Sequence, residues 1–194
     1  ASIMNDFITV GKDIVHHSVN DILFIGATPF FFLDYFACEN LKPKIVEQII
    51  KGMAEACKEF DMPLLGGETA IMPSVYCKGE YDLAGCIVGV AEKKDIITGA
   101  GISAGDLAIG IQSNGLHTNG YSLARKVLFD TAGYKVDSYF PELGTTLGKS
   151  LLAVHRPYSK EILQLRKKFK IKGIAHITGG GLSENLPRIF LIQQ

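Results

Sequence analysis

At 194 residues with 47% apolar content, the chain can bury one large core or two modest ones. Twenty Lys and Arg offset twenty Asp and Glu, so a formal net charge of zero offers no long-range attraction to nucleic acid or to an anionic membrane, and any anionic ligand must be held by local groups. No stretch approaches the roughly 20 continuous apolar residues of a membrane span, and no basic segment precedes an apolar signal core, which gives the expectation of a soluble, cytoplasmic protein.

From Gly11 to Ile25, the residues Ile14, Val15, Val19, Ile22 and Leu23 share one helical face, and Gly26 with Thr28-Pro29 ends the run. Phe30 to Cys38 is a dense aromatic run with one charge, Asp34, and suits a buried strand; its Phe30-Phe31-Phe32 stretch suits a core or a dimer interface. Pro43 then stands at a helix first turn, and Ile45, Val46, Ile49, Ile50, Met53, Cys57 and Phe60 form the stripe of a second helix. Pro63-Leu64-Leu65 reads as a short strand stopping at Gly66-Gly67, and Tyr81 to Val90 as another strand.

Charges and then Gly99, Gly101 and Gly105 mark a composition shift, placing a domain boundary between 98 and 105, with one unit over 1–98 and another over 105–194. A strand is expected over Asp106–Gln112, then a glycine-punctuated turn, a helix over Tyr121–Thr131, an irregular stretch, and a helix over Pro157–Phe169. A strand over Ile171–Ile177, the turn Thr178-Gly179-Gly180-Gly181 and a helix interrupted by Pro187 complete the chain. Strands alternating with helices indicate an α/β or α+β fold. Arg166-Lys167-Lys168 is expected to be a solvated face, and the scattered Cys38, Cys57, Cys77 and Cys86 to be reduced and mostly structural. Ala1 at the start and Leu191-Ile192-Gln193-Gln194 at the end suggest cut termini.

Four places carry candidate chemistry. Asp21, beside Asn20 in the first helix and flanked by Val19 and Ile22, must emerge at a cleft or find a partner, and is a candidate magnesium ligand. Gly66-Gly67-Glu68-Thr69 offers a carboxylate where the backbone can approach a ligand. Ser113 to Gly120 joins a strand to a helix and holds Ser113, His117, Thr118 and Asn119, groups able to bind phosphate without net charge. Thr178 to Gly181 repeats that logic after His176, and neither turn has the Lys-Ser/Thr ending of a P-loop.

Taken in order, Val19-Asn20-Asp21, Gly26-Ala27-Thr28-Pro29, Phe32-Leu33-Asp34-Tyr35, Gly66-Gly67-Glu68-Thr69, Tyr81-Asp82-Leu83-Ala84-Gly85, Gly115-Leu116-His117-Thr118-Asn119-Gly120-Tyr121-Ser122 and Ala175-His176-Ile177-Thr178-Gly179-Gly180-Gly181 resemble the phosphoribosylaminoimidazole synthetase (AIR synthetase) family over nearly the whole chain. The resemblance implies an α+β fold of two domains: strands of the first would form a barrel across a homodimer, and the second would pack helices on a sheet. It implies a fragment lacking the family's upstream glycine-rich segment. The implied reaction closes formylglycinamidine ribonucleotide to aminoimidazole ribonucleotide, consuming ATP with Mg2+ and releasing ADP and phosphate. On that reading Asn20, Asp21 and Glu68 belong to the magnesium–ATP side, with Asp21 and Glu68 as metal ligands and His117 as the proton-transfer group. Ser113, Asn119, His176, Thr178, Gly179, Gly180 and Gly181 would hold the ribose phosphate or the transferred phosphoryl group. Rival readings are another ATP-using relative of the same fold, such as selenophosphate synthetase, thiamine-monophosphate kinase or a hydrogenase-maturation protein, and a noncatalytic dimerisation module.

Overall fold

The computed structural model describes residues 1–190; Leu191–Gln194, the close of the expected second unit, lie outside the described residues. Helix α1 (Ile8–Leu23) buries Val15, Val19 and Leu23, one every four residues, so a single face turns inward. Gly26, with a φ of 81°, ends it: the Gly26 N–H returns to Leu23 O and the Ala27 N–H to Ile22 O, the paired bonds of a Schellman turn that needs a left-handed residue. Helix α2 (Pro43–Glu59) begins with proline in its first turn and buries Ile49, Met53, Ala56 and Cys57. The two helices cross closely because Gly11 faces the Ile49 carbonyl and Gly52 faces that of Ile8, where any side chain would collide with backbone.

Both helices lie against a three-stranded sheet in the order β2-β1-β3. Strand β1 (Thr28–Cys38) is central, β2 (Leu64–Ile71) runs parallel to it and β3 (Tyr81–Val90) antiparallel. Phe32 and Phe36 point from β1 into the helices, and with Phe7, Val15, Val19, Leu23, Ile49, Met53 and Met62 they form the core. Each such side chain contributes about 1.5–3 kcal/mol by leaving water. Phe30 on the same strand is 58% exposed, so the aromatic run divides between core and surface. Cys38 and Cys57 are buried as expected, whereas Cys77 and Cys86 are exposed.

The expected stop at Gly66-Gly67 is incorrect. β2 continues through Gly66-Gly67-Glu68-Thr69 to Ile71, paired with Leu33 to Cys38. Gly67 does not end the strand; it permits the strand, because a Cβ there would strike the Asp34 carbonyl oxygen across the ladder.

Past a 3₁₀ turn at Lys93–Asp95 the chain runs through loops to α3 (Tyr121–Arg125), which continues in π-helical turns over Lys126–Thr131. The stretch read as irregular holds a small antiparallel pair, β4 (Tyr139–Phe140) and β5 (Thr145–Thr146), and helix α4 (Leu147–Leu151). Helix α5 (Ser159–Lys168), helix α6 (Gly181–Asn185) and a 3₁₀ turn at Leu186–Ile189 follow. The strands expected over Asp106–Gln112 and Ile171–Ile177 are not formed: among the described residues neither segment has a ladder partner, and Leu107 and Ile109 stand 91% and 86% exposed. Arg166, expected to be solvated, instead donates to Gly26 O (2.6 Å) and Asp95 O (3.3 Å), tying α5 to the end of α1. Among the described residues no helix is long and apolar enough to cross a membrane.

Candidate functional site

The site lies where α1 meets the segment 154–158. Asp13, His16 and Asn20 recur on α1 at three- and four-residue steps, a polar stripe on a packed face, and each bonds that segment. The His155 N–H donates to Asp13 Oδ1 (2.8 Å), and His16 Nδ1 is 2.7 Å from the His155 carbonyl oxygen, so it carries a proton and donates. Asn20, 4% exposed, donates through Nδ2 to Arg156 O (2.9 Å) and accepts the Tyr158 N–H at Oδ1 (3.0 Å). These two partners orient the amide, so Nδ2 faces His155 Nε2 at 2.9 Å and that nitrogen is an acceptor. The proton of neutral His155 is then on Nδ1, which is buried without a hydrogen-bond partner among the described residues. Burial, followed by the nearby imidazoles, pushes His155 down to about 3 and keeps it neutral.

All five histidines of the chain gather here. His117 packs against His155 with ring centres 4.0 Å apart and the ring planes tilted by 31°, and the His17 and His176 ring centres lie 5.6 Å from each other. Asp21 emerges from α1 between two of them: Oδ1 accepts from His176 Nδ1 at 2.7 Å, and Oδ2 lies 3.3 Å from His17 Nε2. The His176 hydrogen bond holds the Asp21 carboxyl below the usual carboxylate range, so it is ionised at neutral pH. Burial lowers both His17 and His117, so both are neutral there. His17 also meets the Thr118 hydroxyl at 3.1 Å, bringing the first glycine turn onto α1. His17, His155 and His176 each bring one ring nitrogen within 4.8 Å of the others, a grouping a transition metal could favour. His155 offers it no lone pair, since Nε2 takes the Asn20 amide and Nδ1 is protonated, so the group is a hydrogen-bonded cluster.

The two glycine turns converge on this seam. His117 adopts a left-handed φ of 58°. Gly179 lies against Asn119, where a Cβ would stand 3.5 Å from Oδ1. Asn185, 3% exposed, staples the second turn by donating to Gly179 O (3.1 Å) and Gly181 O (2.8 Å), while the Thr178 hydroxyl donates to its Oδ1. The helix that follows the second turn has five residues and adds little dipole to its backbone amides, while α3 after the first turn continues in π-helical turns. Asp21, His176, Thr178, Thr98 and Arg188 line a cleft of about 160 Å3. The ionised, half-exposed Asp21 on its wall is the kind of oxygen donor magnesium takes, which a cluster of imidazoles is not. Ser113 is exposed with its hydroxyl on Gly115 O (3.1 Å), and Glu68, exposed on β2, accepts the Thr69 N–H (2.9 Å). Sequence reasoning missed Asp13, His16, His17, Asn114, His155 and Asn185. The signal for Asp13 and His16 was the polar stripe on α1.

The family model for the AIR synthase related protein N-terminal domain matches residues 1–91, and that for the C-terminal domain matches 103–194. The chain belongs to the AIR synthase related family. This AIR synthase related chain is 52% identical over 189 residues to a phosphoribosylformylglycinamidine cyclo-ligase of Alkaliphilus metalliredigens, covering 97% of the chain and 54% of that relative. It is 53% identical over 181 residues to one of Thermodesulfovibrio yellowstonii, covering 93% and 53%. The chain thus spans about half the length of the curated relatives it matches. Among solved structures, hydrogenase maturation protein HypE superposes with a TM-score of 0.61 at 20% identity, covering 93% of this chain and 51% of that one. A thiamine-monophosphate kinase from Stenotrophomonas maltophilia gives 0.62 at 17%, covering 94% and 53%. These two show a shared fold.

Proposed function

We propose that the whole protein of which this chain is part is a phosphoribosylformylglycinamidine cyclo-ligase acting in the cytoplasm on formylglycinamidine ribonucleotide and ATP. The observation that carries the reading is identity above 50% across nearly the whole chain to relatives of that name. The seam supports it: a neutral imidazole, an ionised carboxylate and two glycine turns meet beside a cleft, the groups a reaction of phosphates and protons requires.

An amide oxygen is a poor leaving group. The substrate's amide oxygen therefore takes the γ-phosphoryl group of ATP, with ADP leaving, and the neighbouring amidine nitrogen attacks the same carbon as phosphate departs. Asp21, with Glu68, would hold magnesium, which neutralises phosphate charge when bound. His117 accepts or returns the proton as the ring closes, and Ser113, Asn119, His176, Thr178 and Gly179 to Gly181 hold the phosphate groups. In this reading Asn20 serves the nucleotide side by fixing α1, because its amide is consumed by the 155–158 segment. The domain division at 98–105 agrees with the loops there, and the exposed Phe30, Leu65, Ile71 and Val90 of the sheet support a barrel closed by a second copy of the chain.

The test is phosphate release from ATP by the full-length protein with formylglycinamidine ribonucleotide present or withheld. Release only when it is present is expected; a folded protein with no substrate-dependent release refutes the reading.

A further inference from the structure

Asn114 precedes His117 by three residues, and its side chain crosses to the 154–158 segment. Its Nδ2 donates to Val154 O at 2.6 Å, and its Oδ1 accepts the Arg156 N–H at 3.2 Å. A carbonyl only accepts and a peptide N–H only donates, so the carboxamide fits one way round, whatever the assignment of its two terminal atoms. The same Oδ1 lies 2.7 Å from His117 Nε2, an approach that oxygen makes only to a nitrogen carrying a proton. The Asn114 main-chain N–H also points toward Nε2 but at 3.4 Å, and the shorter contact decides the proton's place. A neutral His117 therefore keeps its lone pair on Nδ1. Two further features hold the ring: the left-handed backbone at His117, a conformation few residues other than glycine adopt, and the His155 ring packed against it with centres 4.0 Å apart.

We infer that Asn114 is a positioning residue that locks His117 in the Nε2–H tautomer and so makes Nδ1 the nitrogen that exchanges protons with substrate. This rests on the proposed role of His117 and adds which atom acts and what selects it. A ring that flips or changes tautomer would present a donor where an acceptor is needed, and turnover would fall while substrate affinity stayed.

The experiment uses the full-length protein with 15N-labelled histidine. Two-bond 1H–15N correlations of His117 are expected to show Nε2 protonated and Nδ1 bare at neutral pH. In N114A the two tautomers are expected to mix, with kcat down at least about tenfold and KM within about threefold. N114D keeps the acceptor and places a negative charge beside Nε2–H, which raises the His117 pKa and moves the acid limb of the kcat profile to higher pH. A wild-type ring protonated on Nδ1 overturns the inference, as does an N114A protein with unchanged tautomer and kcat. If N114A does not fold, the wild-type spectrum and the N114D profile decide. H117A separates the two claims: full turnover in H117A removes the catalytic role of His117, while the tautomer spectrum judges Asn114 independently.

Discussion

Replacing Asn20 by Ala removes the amide that bridges α1 to the segment 155–158. Three partners lose it at once: Arg156 O, His155 Nε2 and the Tyr158 N–H. A hydrogen bond contributes about 1 kcal/mol net, and a buried group left unpaired costs about 1–3 kcal/mol. The three partners are neighbours and relax together, so their contributions do not add in full, and the expected loss is about 3 kcal/mol. Asn20→Asp controls for shape, since it keeps the acceptor for Tyr158 and loses the donor to Arg156 and His155. Urea unfolding of the full-length protein, followed by far-ultraviolet circular dichroism near neutral pH, reads both variants. A loss below about 1 kcal/mol in both would refute the claim that this amide joins the two halves.

Two pH effects of opposite sign are expected at the same joint. His155 is pushed down to about 3 by burial, whereas an unfolded histidine takes a proton near pH 6.5. Its contribution is complete above about 6.5 and declines as pH falls toward 3; His155→Gln should flatten that slope in urea midpoints. Burial pushes Asp13 up to about 6, so the folded state resists an ionisation that the unfolded chain undergoes near pH 4. Asp13→Asn keeps the acceptor for the His155 N–H and should stabilise by on the order of 1–3 kcal/mol above pH 6 and not at all below pH 4. Arg166→Ala should cost about 1–2 kcal/mol, and Lys at that position should recover less than half, because one ammonium does not span both Gly26 O and Asp95 O. A thiol reagent under native conditions should modify Cys77 quickly and leave Cys38 and Cys57, the latter pushed up to about 11 by burial; fast reaction of Cys57 would contradict the packing of α2.

Helices α1 and α2 were legible because their apolar residues repeat at helical spacing and bury one face, and β1 because a dense aromatic run has the length and content of a strand. β2 was cut short because paired glycines usually end a strand, and the close approach of Asp34 that requires Gly67 is a tertiary fact. Leu107, Ile109 and Ile111 alternate as a strand would, but alternation supplies side chains and not ladder partners. In the site, His117, His176 and Asp21 stood out because each lies beside glycines or in an apolar helix context. His155 follows Val154 without any motif, and its importance comes from the α1 groups that surround it. Arg166 was misread because a run of basic residues gives no indication that one of them reaches two carbonyls on another element.

The joint between the two halves reads peptide groups more than side chains. Asp13 takes an N–H, His16 faces a carbonyl, Asn20 holds one of each, and Arg166 grips two carbonyls. Since every residue carries the same main-chain donor and acceptor, excepting proline's missing N–H, substitutions at 154, 156 and 158 leave most of these bonds available. The seam is therefore tolerant of exchange: halves inherited from different relatives could meet through the same peptide contacts, and sequence drift on one side need not be matched by a compensating change on the other.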